Sequence, residues 1–144
     1  MVISPLNTAR FPVPREWGVE PCVDAVPGAR RLVVEIARAW QVPFSDGALR
    51  DVELCAGEVI ANAVEHTGVR CRVLVRWTGE RLRVEVADVS RLPPDPSGTH
   101  DPITGGRGLL LVEALAQAWG WLPTARGKLV WFECAADRPA GEAV

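Results

Sequence analysis

Between Ala63 and Val73 the apolar residues change their spacing, and that change limits the folds open to this 144-residue chain more than any other feature. Upstream, Val52, Cys55, Ala56, Val59 and Ala63 recur at the spacing of one helix face. Thr67-Gly68 interrupts the pattern, as a glycine just past a helix end should. Downstream the period is two. Val69, Cys71, Val73, Val75 and Trp77 alternate with Arg70, Arg72, Leu74 and Arg76; after the turn Thr78-Gly79-Glu80, Leu82, Val84 and Val86 alternate with Arg83, Glu85 and Ala87. A helix that feeds an antiparallel hairpin with one wet face predicts helices laid on one side of a sheet.

The rest of the chain fits that frame. Residues 1 to about 26 are proline-punctuated, with an edge strand expected near Phe11–Val19. Leu32, Val33, Ile36, Ala37 and Trp40 predict a first helix over Gly28–Val42, ended by Pro43. Ser45 or Asp46 caps the second helix, which runs to about Glu65. Arg91 to Gly106 holds seven Pro or Gly in sixteen residues, and a loop of that length in a small domain is functional or mobile. A third helix is expected over Leu109–Ala118, then strands at Trp119–Leu122 and Lys128–Cys134, and a tail from about 137 to 144. The predicted class is α+β: a two-layer sandwich whose mixed, mostly antiparallel sheet is covered on one face by helices. One domain over 1–144 is expected, with its core at about 27–134.

Composition narrows the function classes. A net charge of −2 gives no bulk electrostatic case for nucleic acid or a membrane surface. No apolar run approaches the roughly 18 residues of a membrane span, and the N-terminus lacks a signal-peptide pattern, so a cytoplasmic protein is expected. Cys22, Cys55, Cys71 and Cys134 form no CxxC pair and read as buried free thiols rather than a zinc site. Tryptophans 40, 77, 119, 121 and 131 fall in helix or strand patterns and read as core.

Four places could carry chemistry. Glu58, Asn62 and His66 are spaced by four inside the apolar second helix and share one face. A carboxylate beside an amide oxygen suits a hydroxyl awaiting deprotonation and a hydrated magnesium ion; a solvated helix face is the bland alternative. Asp88, at a strand end, can accept a hydrogen bond from a purine amino group or simply begin a turn. Gly105-Gly106-Arg107-Gly108-Leu109 opens the third helix, where glycines allow close approach of a phosphate, or is a linker. Lys128 is the single lysine beside fifteen arginines, which hints at a need for a compact ammonium.

In order along the chain, GEVIANAVEHTG, VEVADVS, GGRGLLLVEALAQAWGW and GKLVWFE resemble the Bergerat-fold (histidine-kinase-like) ATPase superfamily, and within it the anti-sigma-factor serine kinases of the stand-alone actinobacterial type. The resemblance covers about residues 27–134. It implies that Glu58 is the general base, Asn62 the magnesium ligand, His66 a further ATP-site residue and Asp88 the adenine partner. Gly106, Arg107, Gly108 and Leu109 would hold the phosphates, beneath a lid formed by 91–106. Two departures bear on the adenine end. Val89-Ser90-Arg91-Leu92-Pro93 replaces a glycine-rich box, and Leu129 stands where relatives have a threonine that binds adenine through water. Loss of such a hydroxyl bond corresponds to about 1 kcal/mol.

The implied activity is ATP- and Mg2+-dependent phosphorylation of a serine or threonine on an anti-anti-sigma protein, with a sigma factor as the second partner. Related kinases are often dimers, which leaves room for a homodimer. The alternatives are a non-catalytic module that binds nucleotide weakly, or nothing, and sequesters a protein, and an ATP-hydrolysing switch without an acceptor.

Overall fold

The computed structural model describes residues 11–65, 67–94 and 108–139. In chain order the elements are β1 (Arg15–Val19), a 3-10 turn (Val23–Ala25), α1 (Val26–Ala39), α2 (Asp46–Glu65), β2 (Cys71–Trp77), β3 (Arg81–Asp88), α3 (Leu109–Leu115), β4 (Ala118–Pro123) and β5 (Lys128–Ala135). The five strands form one sheet in the order β1-β2-β3-β5-β4, and all four described pairings are antiparallel. α2 is the central helix. It packs on β2, β3 and β5 below and carries α1 and α3 against it.

Period-two alternation decides which side of each strand meets the helices. Val73 and Val75 of β2, Leu82, Val84 and Val86 of β3, and Val130 and Phe132 of β5 are buried in one core with Val52, Val59, Ile60 and Ala63 of α2. The register sets Val73 opposite Val86 and Val84 opposite Phe132, so these apolar rows are continuous across the sheet.

The opposite sheet face carries ions instead. Arg81 and Arg83 donate to Glu133 at 3.0 and 2.9 Å, and Arg83 also donates to Glu85 at 2.7 Å. Burial would raise the Glu133 carboxyl, but the two guanidiniums hold it below its usual range. The Arg83 guanidinium stacks on Trp131, 4.2 Å from the ring centroid. Trp131 in turn lies over Gly120, where a Cβ would fall 2.9 Å from the ring. Trp131 is therefore not a core residue, and Trp121 is 39% exposed, which corrects the expectation for both; Trp40, Trp77 and Trp119 do pack against the core.

Element ends differ from expectation for local reasons. α1 stops at Ala39 rather than Val42. Gln41 adopts φ +55, its N–H donates to the Arg38 carbonyl at 3.0 Å, and the Val42 N–H donates to the Ala37 carbonyl at 3.3 Å. That is a Schellman closure, so the left-handed residue ends the helix before Pro43 acts. Gly68 plays no such part: among the described residues positive φ falls at Gln41, Gly79 and Gly108. Near the end of α2, the Thr67 hydroxyl donates to the Ala63 carbonyl at 3.3 Å. α3 ends at Leu115 rather than Ala118, because Ala116 turns extended and the Gln117 N–H pairs with the Glu133 carbonyl at 2.8 Å. The expected tail is anchored at its first residues. Asp137 accepts the Ser45 N–H at 2.7 Å and the Ser45 hydroxyl, while Ser45 caps α2 by accepting the Ala48 N–H at 3.1 Å. Those bonds from Ser45 hold the Asp137 carboxyl below its usual range.

Candidate functional site

The strand register brings three strand termini, Cys71, Asp88 and Lys128, together at one end of the sheet. Glu65 ends α2 and Cys71 begins β2. Arg72 pairs with Ala87, so one further step of that register sets Cys71 across from Asp88, the last residue of β3. Asp88 is itself paired with Lys128, the first residue of β5. Cys71, Asp88 and Lys128 lie on the buried side of the sheet, facing the helical layer.

On α2, Glu58 is half-buried and Asn62, one turn later, is 2% exposed. Neither the amide oxygen nor the amide nitrogen of Asn62 has a hydrogen-bond partner. A buried amide left without partners costs about 1–3 kcal/mol. Its neighbours on the helix, Val59, Ile60, Ala63 and Val64, are all buried core residues, so this amide is the one polar group set into that stretch.

Asp88 and Lys128 form a buried ion pair. The Lys128 ammonium lies 3.1 Å from Asp88 Oδ1 and 3.0 Å from Oδ2, and both side chains are 1% exposed. Oδ1 also accepts the Ser90 N–H at 2.8 Å. Oδ2 lies within ion-pair distance of the ammonium and has no further partner among the described residues. The Ser90 hydroxyl accepts the Leu92 N–H at 3.2 Å, and the Arg91 guanidinium donates to the Ala125 carbonyl at 2.9 Å. Val89–Leu92 is thus a turn built on Asp88 and stitched to the β4–β5 turn. Cys71 reports the same surroundings: burial first, then the Asp88 charge, push its thiol up to about 11.

Gly127 makes this closeness possible. A Cβ there would lie 2.1 Å from the Asp88 carbonyl oxygen and 2.6 Å from the Val89 Cα, so only glycine lets β5 begin against the end of β3. Leu129, expected beside the base, faces the other way. It pairs with Ala87 and Leu122 on the outer sheet face, and Lys128 occupies the inward position opposite Asp88.

Gly108 takes φ +54 and ψ −146, a backbone conformation that excludes residues with a Cβ, and hands the chain to α3. The Leu109 side chain is fully buried, so only its backbone can face a ligand. α3 packs against α2, the helix of Glu58 and Asn62. His66, Gly106 and Arg107 lie outside the described residues.

The family model for the histidine kinase-like ATPase domain matches residues 19–133. The chain belongs to that family. Among solved structures, this ATPase domain is similar to the RsbU and RsbW domains of Rv1364c from Mycobacterium tuberculosis, at 21% identity and a TM-score of 0.67. The match covers 90% of this chain and 34% of that one, so the domain spans about a third of the length of the solved chain. At that identity the likeness is one of fold. No match emerges among curated proteins.

Magnesium-ATP can be tested against the donors present. Asn62 offers an amide oxygen without a hydrogen-bond partner, and Asp88 offers a carboxylate oxygen that is ion-paired with Lys128 but accepts no hydrogen bond. The first could coordinate a hard cation that keeps most of its waters, and the second could accept an N–H from a base. The residues of this ATPase domain therefore fit the nucleotide. Among them, sequence reasoning missed the fixing of Asp88 by Ser90, the close approach at Gly127 and the inward position of Lys128. The Gly127-Lys128 dipeptide was the visible signal, but its meaning depends on the register to β3.

Proposed function

We propose that this ATPase domain binds magnesium-ATP and transfers the γ-phosphoryl group to a serine or threonine hydroxyl of a protein partner. The observation that carries the reading is the buried, unpartnered Asn62 amide one helical turn from Glu58. Asn62 Oδ1 would hold the magnesium ion, and that ion, when bound, neutralises charge on the phosphates. Asp88 Oδ2 accepts the adenine amino group. Glu58 takes the proton from the attacking hydroxyl as its oxygen bonds to the γ-phosphorus and the bond to ADP breaks. The amides at Gly108 and Leu109, with Gly106, Arg107 and His66 by resemblance, complete the phosphate side.

The similarity to an RsbW domain, with the motif resemblance, supports an anti-anti-sigma protein as acceptor and a sigma factor as the sequestered partner, with a homodimer as the assembly. Incubation with labelled ATP and anti-anti-sigma proteins tests this. Transfer is expected, and Glu58→Ala should lower its rate by about 10²–10⁴-fold. Absence of transfer in both proteins, with affinity for magnesium-ATP weaker than millimolar by calorimetry, would instead favour a non-catalytic sequestering module. Steady ADP release without any acceptor would favour an ATP-hydrolysing switch.

A further inference from the structure

The buried ammonium of Lys128 is not used by the chemistry above. Burying an ion pair is costly unless each remaining donor and acceptor finds a partner. Lys128 carries three N–H bonds and, among the described residues, makes one hydrogen bond, to Asp88 Oδ1. Asp88 Oδ2, 3.0 Å from the same nitrogen, makes none. The pair therefore presents a donor and an acceptor side by side at the ends of β3 and β5. Replacement of such a pair by apolar residues of similar volume is often neutral or stabilising, so packing alone gives no reason for charge at this point.

The geometry points to Lys128 as a specificity determinant for the base, donating directly to the ring nitrogen N1 of adenine while Asp88 accepts from the neighbouring amino group. This rests on the ATP reading above. An adenine edge shows a donor outside the ring and an acceptor within it. A guanine edge shows the reverse order, acceptor outside and donor within. A fixed Asp88–Lys128 couple matches only one of these for a given direction of sugar and phosphates. Ser90 and Gly127 fix that couple. Ser90 holds the carboxylate from one side, and the close approach at Gly127 holds the strand that bears the lysine.

Lys128 is the single lysine in the chain, so it can be observed without mutation. Labelling lysine side chains with nitrogen-15 gives one ammonium signal. Saturating magnesium-ATP should shift that signal, and 1-deaza-ATP, which lacks the acceptor, should bind at least tenfold more weakly and leave the signal near its free position. GTP should also bind more weakly than ATP. Lys128→Met should lose the wild type's preference for ATP over 1-deaza-ATP, whereas with a purely structural lysine the variant would keep whatever preference the wild type has. An unmoved signal in the ATP-saturated protein, or equal affinity of the wild type for ATP and 1-deaza-ATP, overturns the assignment while leaving ATP binding intact. If no nucleotide binds the wild type at all, the ATP reading itself fails and the assignment falls with it.

Discussion

At the level of one side chain, Asn62 allows stability to be separated from the proposed function. Its amide is buried with both polar atoms unpartnered, so the fold gains nothing from it. Leucine has nearly the same shape. Asn62→Leu should leave stability unchanged or raise it by about 1 kcal/mol, a rise of about 2–4 °C in Tm for a domain of this size. The same substitution should remove magnesium-dependent nucleotide binding. Thermal melts and calorimetry on one preparation check both halves, and a large loss of stability would show that the amide is structural. The other buried polar pair behaves differently. Asp88 and Lys128 satisfy each other in part, so losing either leaves a charge buried alone. Of the four free thiols Cys55, Cys71 and Cys134 are buried, whereas Cys22 is exposed, which corrects the expectation for that residue. Cys55 is held protonated well beyond the usual thiol range, first by its hydrogen bond with Cys134 and then by burial.

Elements owe their limits to single backbone positions. α1 ends where Gln41 takes a left-handed conformation, an exposed residue with φ +55. That conformation costs an L-residue about 1–2 kcal/mol, and glycine avoids the cost while losing some entropy on folding. Gln41→Gly should therefore stabilise the protein by about 1 kcal/mol, measured by chemical denaturation with an unchanged m-value. A destabilised variant would mean that the glutamine side chain contributes more than its exposure indicates. α1, α2 and the β2–β3 hairpin were legible in the sequence because each has a long apolar pattern of one period. The end of α3 was not. It depends on Gln117 reaching the Glu133 carbonyl, a partner that no local pattern reveals. The outward direction of Leu129 was hidden for a related reason. Moving one residue along a strand reverses the face, and only the pairing with β3 shows that Lys128 is the inward member.

At the scale of the molecule, the proposed nucleotide would be a folding ligand as well as a substrate. It would touch α2, the ends of β2, β3 and β5, and the start of α3, elements far apart in sequence that come together only in the native state. Magnesium-ATP at 100 times its Kd should stabilise the domain by about 2.7 kcal/mol. Scanning calorimetry should show a Tm that climbs with nucleotide concentration, returns to the free value in EDTA, and does not respond in Asn62→Leu. A Tm indifferent to nucleotide would argue for the sequestering module. Among the described residues no helix is long and apolar enough to cross a membrane. By itself, the sequence determined the class of fold and the acid–amide pair at Glu58 and Asn62, because helical and strand periods and an i, i+4 spacing are local properties. Only the tertiary structure decided what surrounds Asp88. An ion pair across two strands, a turn fastened by Ser90 and a glycine pressed on a neighbouring backbone all depend on register, which the chain settles only when its whole core closes.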